Sequence, residues 1–556
     1  MLWNLFPVHG GGFLLDCGTV LHALTNVRRN PRKPRVFSYS GFFWELKKMK
    51  AISFETRYLK DAHLFYRRHC HSDHTLLLES AEIVDKTGVQ SLIGVRCAIV
   101  VKCDDLKVTA SALSKNGLHL LEKVAKKLEV KVQDNAFTIA YKRPEKGIDE
   151  DSRLKAKGPL DVMRAIRKCV SKCDDILIGG NISFDFINNF EYIGDVPKGE
   201  NPCSDYTFYV FDTAVRVNHI NKTTKVVAFA FGADTYEETA LFALKLRDKI
   251  DDFEEKDELK LNFGVKVKVD PDLDDEKFGE IVGKIKEHII SGDAFQVVPS
   301  RTFREDCPDP FLAYSYLKKL NPSPYMYYMK DPLFTIFGAS PEFAVRYSAQ
   351  SDEVRISPIA GTRARGLKDD GQIDRELDSR IELELRTDHK EIAEHLMLVD
   401  LARNDLARIA VAGSRYVDNL LHVDHYQSVM HLVSDVHAKL RPDLDAFNAY
   451  QACMNMGTLS GAPKIMAHEL IYRYEGKKRG SYGGVIAIIG NDGSFDSCIT
   501  IRSAFVKGQT AYVQAGCGVV YDSDIKSECQ ETVNKARSVL TALSMALNDL
   551  SKKRKD

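Results

Sequence analysis

Two pairs of glutamates have the spacing that metal chemistry on a helix would need. Glu391 and Glu394 lie in one apolar segment, and Glu528 and Glu531 lie in another. Residues three apart share one face of an α-helix, so each pair would project from one side of its helix. Four converging carboxylates would form a hard oxygen site that suits Mg²⁺. Solvated helix faces remain an alternative, and a di-iron site is disfavoured because the second helix lacks a Glu-x-x-His spacing.

A glutamate and a histidine in apolar surroundings could carry acid–base chemistry. Glu342 follows Pro341 just after the apolar run 333–337, where a strand end would direct it into a cleft. Desolvation there would keep the carboxyl protonated, as a general acid requires. His431 lies in the apolar stretch 430–433 and could act as a base near neutral pH. The alternatives are a surface glutamate and a core histidine whose hydrogen bonds are satisfied.

An arginine and a glycine-rich segment could bind an anion. Arg502 lies within the apolar run 499–505, where a guanidinium needs an anionic partner, either a substrate carboxylate or a protein carboxylate. Gly516 and Gly518 could bring backbone N–H groups close to an anion, or could mark a bulge in a strand. Taken together, these residues predict a Mg²⁺-assisted reaction on a small dianion.

The elements that must position these residues are clearest in the last third of the chain. The pattern predicts three strands and the two turns that join them, at 483–489, 490–493, 497–505, 507–509 and 510–515. A helix is predicted over 527–547, and Ser527 with Gln530 resembles a capping box at its start. Hairpin-linked strands with interspersed helices predict an α+β fold with antiparallel sheets.

The N-terminal half has a more mixed pattern. Between residues 75 and 231 short β-rich runs alternate with helical stretches such as 117–130. The segment 246–260 is dense in charge and predicts an exposed helix end and a linker. Residues 1–48 hold seven Lys or Arg against two acids and differ from the rest. We interpret them as an atypical extension from a start codon assigned too early, with Met49 as the start, rather than as a signal or transit peptide.

Composition excludes several classes of protein. Lys+Arg and Asp+Glu both number 78, so no basic field for nucleic acid is present. No window approaches 18 consecutive apolar residues, which predicts no membrane span. The 12 cysteines are scattered and predict reduced thiols in the cytoplasm. The polar run 68–74 and the pair Cys169 and Cys173 lack a second ligand pair at zinc-finger spacing, so we predict no structural zinc.

Several long segments resemble the chorismate-utilising enzymes, and specifically component I of the bacterial anthranilate synthases. The matching segments are 291–301, 321–326, 358–362, 386–404, 454–464, 480–484 and 496–535. The similarity is dense after about residue 275 and thinner before it. The resemblance implies a large sandwich of two mostly antiparallel sheets with flanking helices. It also implies an N-terminal region, 49–260, with a tryptophan feedback site, and a chorismate-binding catalytic region, 261–556.

The resemblance assigns a role to each candidate residue. It implies that Glu391, Glu394, Glu528 and Glu531 surround Mg²⁺, which holds the ring carboxylate of chorismate. The enolpyruvyl carboxylate would be bound by Arg502, Tyr482 and the backbone of Gly516 and Gly518. Lys535 and Thr362 would also contact the substrate. Glu342 would protonate the departing 4-hydroxyl while ammonia attacks C2. His431 and Thr458 would assist the loss of pyruvate and the formation of the aromatic ring.

Two positions distinguish the reactions within the family. Isochorismate and salicylate synthases have a lysine where this chain has Gln296, and that lysine activates water. Aminodeoxychorismate synthases of the covalent type have a lysine where this chain has Ala360, and that lysine attacks C2. Because neither amine is present, the sequence favours ammonia as the nucleophile and anthranilate as the product. The alternatives are an aminodeoxychorismate synthase and a regulatory pseudoenzyme that binds chorismate or tryptophan.

The resemblance also implies partners and regulation. The chain has no glutamine amidotransferase segment, so a partner glutaminase subunit would supply ammonia, in a heterotetramer of two large and two small subunits. Tryptophan would inhibit this first committed step of its own synthesis. The predicted feedback residues are Glu79, Ser80, Lys86, Pro324, Met326, Tyr327 and Cys498. A plain core strand is the alternative for the leucines at 76–78.

Overall fold

The structure is a computed structural model that describes residues 49–80, 89–254, 256–368, 372–426 and 429–553. The predicted extension 1–48 and the predicted feedback residue Lys86 lie outside the described residues. None of the helices in this part of the chain is long and apolar enough to cross a membrane.

The strands that carry the architecture pair with one another in the antiparallel direction. In chain order they are β1 (Lys50–Thr56), β2 (Thr75–Glu79), β3 (Gln90–Asp104), β4 (Lys107–Ala112), β5 (Ala136–Ala140), β6 (Leu177–Ile182), β7 (Tyr206–Asn218), β8 (Thr223–Ala230), β9 (Gln296–Val297), β10 (Ser300–Asp306), β11 (Tyr325–Lys330), β12 (Thr335–Ser340), β13 (Phe343–Ser348), β14 (Glu353–Ile356), β15 (Ile359–Ala364), β16 (Tyr416–His425), β17 (Val429–Lys439), β18 (Gly461–Ala462), β19 (Val485–Ile489), β20 (Phe495–Ile499), β21 (Ser503–Lys507) and β22 (Thr510–Gly516).

The helices cover the outer faces of the sheets and link the strands. They are α1 (Ala62–His69), α2 (Lys115–Lys127), α3 (Glu150–Lys155), α4 (Asp161–Cys169), α5 (Tyr236–Asp251), α6 (Asp275–Ile290), α7 (Pro310–Leu320), α8 (Arg375–Thr387), α9 (His389–Ala407), α10 (Ala446–Cys453), α11 (Lys464–Glu475) and α12 (Ile525–Lys553). Two short 3₁₀ helices span Phe184–Asn189 and Ala233–Thr235.

Two long strands, β3 and β7, take part in both sheets. One end of their pairing continues from β7 to β8 and β1 and from β3 to β2, β11, β12, β21, β22 and β10. The other end continues from β3 to β4 and β5 and from β7 to β6, β19, β20, β13, β14 and β17. Register shifts between Gly94 and Ile99 mark the place where the pair leaves one sheet for the other.

Alternation along the strands shows how the layers are stacked. Leu76 and Leu78 of β2 pack between the two sheets, whereas Leu77 packs against the helical layer outside the first sheet. In β19, Ile486 packs between the sheets and Ala487 packs against the helices outside the second sheet. Since successive side chains of a strand point to opposite faces, every layer boundary is filled from both sides. The fold class predicted from the sequence, α+β with two antiparallel sheets and flanking helices, is confirmed.

Two local predictions were wrong. The strand expected over 497–505 is interrupted, because β20 ends at Ile499 and Arg502 adopts a positive φ of 50°, which a continuous strand does not allow. The last helix is not capped by a Ser527–Gln530 box. Instead, the Asp524 carboxylate accepts hydrogen bonds from the backbone N–H of Ser527 at 2.9 Å and from its hydroxyl at 2.8 Å. Aspartate satisfies free N–H groups at a helix start as serine does.

Candidate active site

One cavity of about 390 Å³ brings together all the residues predicted for catalysis, substrate binding and metal binding. Its lining includes Gln296, Glu342, Thr362, Glu391, Glu394, His431, Thr458, Tyr482, Arg502, Gly516, Gly518, Glu528, Glu531 and Lys535. These residues come from six different strands and helices and from the loops between them. Their roles stay predictions, but the convergence gives them a common site.

The four glutamates reach the cavity from two helix starts. Asp388 caps α9 by accepting hydrogen bonds from the N–H groups of Lys390 and Glu391, at 3.0 and 3.3 Å. Asp524 caps α12 in the same way, as described above. Each pair therefore lies in the first turns of its helix, where the helix dipole favours negative charge. This placement follows from local sequence: an aspartate cap followed within a few residues by the glutamate pair.

The electrostatics of the glutamates fit a cation. Burial and the nearby charges of Glu391 and Glu531 raise the pKa of Glu394. Burial and Glu531 raise the pKa of Glu528 to about 7, and its buried Oε2 has no hydrogen-bond partner. A hard cation would relieve this repulsion and occupy the unpartnered oxygen, so the donor set fits Mg²⁺.

The carboxylates are not arranged as a finished ligand set. Within the described ranges, no three His, Cys, Asp or Glu side chains are grouped closely enough to hold a metal ion. Glu391 is paired with Arg363 at 2.7 Å, and Glu531 with Lys535 at 2.7 Å. Lys390 lies 3.8 Å from Glu394. Metal binding in this cavity would therefore require small side-chain rotations away from these cations.

Glu342 has the environment of a general acid. The strand β12 ends at Ser340, and Glu342 directly follows Pro341. The residue is 7% exposed. Burial raises the pKa of its carboxyl to about 8, against a smaller opposing effect of Lys535. The Thr458 hydroxyl donates a hydrogen bond to Glu342 Oε1 at 3.2 Å. The carboxyl therefore carries its proton at neutral pH, and a neighbouring hydroxyl fixes its direction.

His431 is neutral at the same pH. It lies on β17 opposite Thr362 of β15, and the Thr362 hydroxyl is 2.8 Å from His431 Nδ1. Burial and the positive charge of Arg502 lower the pKa of the imidazole to about 4. A neutral imidazole can accept a proton, and the hydroxyl contact at Nδ1 orients the ring.

Arg502 forms the cationic part of an anion-binding wall. Its positive φ lies at the break between β20 and β21, and its guanidinium donates to the Lys535 carbonyl at 2.7 Å. Burial lowers the pKa of Arg502, and it forms no ion pair with any described residue. The charge of Glu531 acts on Arg502 without a salt bridge between them, so the substrate carboxylate as the partner of Arg502 stays a prediction.

Tyr482 and Gly516 complete this wall. A Cβ atom at Gly516 would lie 2.6 Å from the Pro299 carbonyl and 3.1 Å from the Tyr482 hydroxyl, so only glycine fits there. Lys535 Nζ donates to the Gly516 carbonyl at 3.1 Å. The phenol, the ammonium and the guanidinium thus surround one end of the cavity, where a carboxylate would find three donors.

The two positions that distinguish the family's reactions also line the cavity. Gln296 lies on β9, and its buried Oε1 has no hydrogen-bond partner. Its amide nitrogen lies against Gly518, since a Cβ there would be 2.7 Å away. Ala360 lies on β15 and offers no functional group.

Sequence reasoning missed several residues of the cavity. Lys390, Gln514 and the apolar residues Val298, Leu398 and Leu459 also line it. The position of Lys390, directly before one glutamate and four residues before another, was a readable signal. The apolar residues carried none, because similar residues fill every core of this molecule.

The predicted feedback residues lie on both faces of the first sheet. Glu79 points to the helical layer, where it pairs with Lys318 at 2.9 Å and accepts from the Tyr314 hydroxyl at 2.7 Å. Tyr327 and Cys498 lie between the sheets. The remaining described members of the set lie close by in the chain: Met326 in the same helical-side core as Glu79, Pro324 buried before β11, and Ser80 buried after β2.

Comparisons with known proteins show which family the chain resembles. A model of the chorismate-binding enzyme family matches residues 120–541. Anthranilate synthase component 1 of Vibrio cholerae is 45% identical over 509 residues, which are 90% of this chain and 97% of that protein. The Escherichia coli protein of the same name is 46% identical over 484 residues, with 85% and 92% covered.

Solved structures agree as well. Anthranilate synthase component I from Streptococcus pneumoniae superposes with a TM-score of 0.63 at 29% identity, over 81% of this chain and 92% of that one. The menaquinone-specific isochorismate synthase of Escherichia coli, at 16% identity, shares the fold with a TM-score of 0.62, over 91% and 99%.

The chain belongs to the family of chorismate-binding enzymes. Within that family, the relatives given above are named anthranilate synthase component 1, and they match it over most of their length. The resemblance found in the sequence is therefore confirmed.

Proposed function

We propose that this chain is the large subunit of an anthranilate synthase, which converts chorismate and ammonia to anthranilate and pyruvate. The single observation that carries the proposal is the composition of one cavity. A protonated glutamate, four carboxylates suited to a metal and a cationic wall surround the same 390 Å³. Chorismate has two carboxylates and a hydroxyl that must leave, and the cavity has a matching group for each.

The chain's own residues would orient the substrate from two ends. Glu391, Glu394, Glu528 and Glu531 would hold Mg²⁺, which neutralises the ring carboxylate when it is bound. Arg502, Tyr482, Lys535 and the backbone around Gly516 would hold the enolpyruvyl carboxylate. Two fixed carboxylates leave the ring one orientation, so that its 4-hydroxyl faces one wall of the cavity only.

The reaction would then proceed in two steps, each with a defined transfer of protons. Ammonia forms a bond to C2 while Glu342 donates its proton to the 4-hydroxyl oxygen, which leaves as water, and the ammonium group formed at C2 loses one proton. In the second step the proton at C2 is removed, the bond between the ring and the enolpyruvyl oxygen breaks, and the ring becomes aromatic. The released enolpyruvate takes up one proton to become pyruvate. His431 and Thr458, which both line the cavity, would assist this loss. Glu342 regains a proton before the next turnover.

The nitrogen source is inferred from two positions of the cavity at which this chain has no lysine. Gln296 and Ala360 stand where relatives have nucleophile-activating or attacking lysines. The two lysines in the wall, Lys390 and Lys535, each lie beside a glutamate of the metal group. Free ammonia is therefore the proposed nucleophile. We also propose that a glutaminase subunit supplies it, in a complex of two large and two small subunits in the cytoplasm.

One assay tests the proposed reaction. The purified protein is incubated with chorismate, Mg²⁺ and ammonium at mildly alkaline pH, and blue anthranilate fluorescence is recorded. We expect fluorescence with ammonium alone, and fluorescence with glutamine only after the glutaminase subunit is added. Aminodeoxychorismate as the product, or no product, would contradict the proposal.

Mg²⁺ is expected to stabilise the free protein by binding to the four glutamates. At a hundredfold excess over the dissociation constant, the stabilisation is about 2.7 kcal/mol. Urea unfolding with and without Mg²⁺ measures it. E528Q should reduce this stabilisation strongly, because it replaces the unpartnered oxygen donor. The control is E287Q on the exposed face of α6, which should behave as the wild type. If Mg²⁺ stabilises E528Q and E287Q equally, the four glutamates do not form the metal site.

Feedback inhibition by tryptophan is proposed for the region around Ser80. The Ser80 hydroxyl accepts hydrogen bonds from the N–H groups of Val89 at 2.6 Å and Gln90 at 3.2 Å. S80F would displace these contacts, and we expect tryptophan inhibition to weaken at least about tenfold, a coupling loss of roughly 1.4 kcal/mol. Turnover should stay within about twofold, because Ser80 does not line the cavity. Unchanged inhibition in S80F would exclude this region from the feedback site.

We further propose that the chain divides functionally near residue 260. Residues 49–260 would carry Glu79, Ser80 and Lys86 of the feedback site, and residues 261–556 would carry its other four members together with every cavity residue named above.

A further inference from the structure

A buried ion pair lies directly behind the wall of the cavity. The side chains of Arg479 and Glu475 are 0% and 2% exposed, and neither lines the cavity. Arg479 Nε donates to Glu475 Oε2 at 3.0 Å, and its Nη2 donates to Glu475 Oε1. The pair is therefore closed to solvent and bidentate. Nothing in the reaction proposed above uses it.

The remaining donors of Arg479 hold two segments of the cavity wall by their carbonyls. Nη1 donates to the Leu459 carbonyl at 2.8 Å, and Nη2 donates to the Val298 carbonyl at 2.6 Å. Both Leu459 and Val298 line the cavity. Leu459 directly follows Thr458, whose hydroxyl directs the Glu342 carboxyl. One planar guanidinium thus fixes two segments of the cavity wall relative to each other.

Arg479 also lies against an aromatic ring of the anion-binding wall. Its guanidinium carbon is 5.6 Å from the ring centre of Tyr482 and 4.5 Å from that of Phe184. The phenol of Tyr482 is the one that faces Gly516. A cation over an aromatic ring attracts the ring electrostatically, so it restrains where the phenol points.

Glu475 extends the same network to the far side of the wall. Its Oε1 accepts hydrogen bonds from the backbone N–H of Ser300 at 2.8 Å and from the Ser300 hydroxyl at 2.9 Å. The Ser300 hydroxyl in turn accepts from Gln514 Nε2 at 2.8 Å, and Gln514 lines the cavity. The pair therefore contacts three cavity-lining residues directly and a fourth, Gln514, through the Ser300 hydroxyl, without reaching the cavity.

Stability does not account for such a pair. Replacing a buried ion pair by well-packed apolar side chains is often neutral or stabilising, because both charges must lose their water. Here every partner of the pair, apart from Phe184 and a backbone contact of Arg479 to Asp185, leads to the cavity. These contacts hold the residues of the cavity wall in fixed positions.

We propose that Glu475 and Arg479 are a positioning pair, which sets Tyr482 of the anion-binding wall and the neighbouring cavity-lining residues Leu459, Val298 and Gln514 before the substrate arrives. The inference rests on the proposed function, since it takes the substrate to be chorismate bound through its enolpyruvyl carboxylate. A wall set in advance adds to binding in the ground state and the transition state alike. Its loss therefore raises KM for chorismate more than it lowers kcat.

The test compares two buried carboxylates, each paired with an arginine, of which only one has contacts that lead to the cavity. E475Q leaves Arg479 without a full carboxylate partner. D212N does the same for the Arg96–Asp212 pair, which is joined at 2.6 Å with Asp212 fully buried and lies outside the cavity. Both variants are expected to lower the melting temperature. Only E475Q should raise KM for chorismate, by about tenfold, with KM for ammonium unchanged and kcat within about threefold.

A milder variant keeps the test decisive where E475Q folds poorly. S300A removes only the hydroxyl between Glu475 and Gln514, and we expect a KM increase of about threefold with a melting temperature near that of the wild type. If E475Q and S300A leave KM for chorismate unchanged, or if D212N raises it equally, the pair is structural only and the inference fails.

Calorimetric titration with chorismate, in the absence of ammonium, separates this failure from that of the proposed function. Wild type that binds chorismate while E475Q and S300A bind it equally well overturns only the positioning role. Wild type that does not bind chorismate overturns the proposed function, and the positioning role with it. We expect wild type to bind and E475Q to bind about tenfold more weakly.

Discussion

Replacing Glu342 by glutamine is expected to lower kcat for anthranilate formation by about 10²- to 10⁴-fold, the range that a positioned general acid contributes. The amide keeps the size of the side chain and a hydrogen bond with Thr458, but it has no acidic proton to give to the leaving hydroxyl. KM for chorismate should change little, because Glu342 does not hold either carboxylate. Steady-state kinetics of E342Q against E287Q, which removes an exposed carboxyl that does not line the cavity, measures the difference.

The pH dependence of the wild type provides a second test of the same residue. Burial raises the pKa of Glu342 to about 8, so the acid form is lost as the pH rises through that value. With the concentration of free ammonia held constant, kcat/KM for chorismate, which follows the ionisation of the free enzyme, should fall above about pH 8. E342Q should lack this alkaline limb. Near-normal turnover in E342Q, or an unchanged alkaline limb, would contradict the general-acid role.

Stability responds to the same ionisation with a definite sign. The folded carboxyl keeps its proton up to about pH 8, whereas in the unfolded chain it loses the proton near its ordinary value of 4.5. The stability that Glu342 contributes is thus complete below about pH 4.5 and is lost as the pH rises through 8. Relative to the wild type, E342Q should be more resistant to urea at pH 8 than at pH 5.

Replacing Arg502 by methionine is expected to lower kcat/KM for chorismate by at least about 10²-fold. Removing one partner of a desolvated charge pair costs roughly 2–5 kcal/mol, and the enolpyruvyl carboxylate would lose its guanidinium. R502K should recover part of the loss, since an ammonium supplies the charge without the bidentate geometry. The lower kcat/KM should result mainly from a higher KM for chorismate.

The stability of R502M distinguishes a substrate-binding arginine from a structural one. Arg502 makes no ion pair with the described residues, and burial lowers its pKa, so its removal should leave the free protein as stable as the wild type or more so. The comparison variant is R346M, because Arg346 is a buried arginine that is paired with a protein carboxylate, Asp496, at 3.1 Å. R346M should be clearly destabilised. A comparable loss of stability in R502M, with chorismate binding unchanged, would contradict the role assigned to Arg502.

The sequence predicted the site more fully than the elements around it. Glutamates three residues apart on a helix form a local pattern, and the resemblance to a known family supplied their convergence with Glu342 and Arg502. The break at Arg502 could not be predicted, because an apolar run from 499 to 505 has the pattern of a continuous strand. Its positive φ follows from tertiary contacts, among them the hydrogen bond to the Lys535 carbonyl.

Two other features needed the structure because they depend on distant parts of the chain. Glu475 is the last residue of α11, and Arg479 follows four residues later in the loop beyond Gly476, so neither position carries a pattern that predicts a buried pair. Only the packed molecule shows that they are buried against Val298 and Leu459. Likewise, the division of Glu79 and Tyr327 between two faces of one sheet depends on strand register, which the family resemblance did not give.

The atom balance of the reaction tests the central claim most directly. The wild-type protein is incubated with chorismate, Mg²⁺ and ¹⁵N-labelled ammonium, and the products are quantified by mass spectrometry. We predict that each chorismate consumed yields one ¹⁵N-labelled anthranilate and one pyruvate. Isochorismate, or labelled aminodeoxychorismate without pyruvate, would contradict the claim that this cavity carries out amination and pyruvate loss on the same substrate.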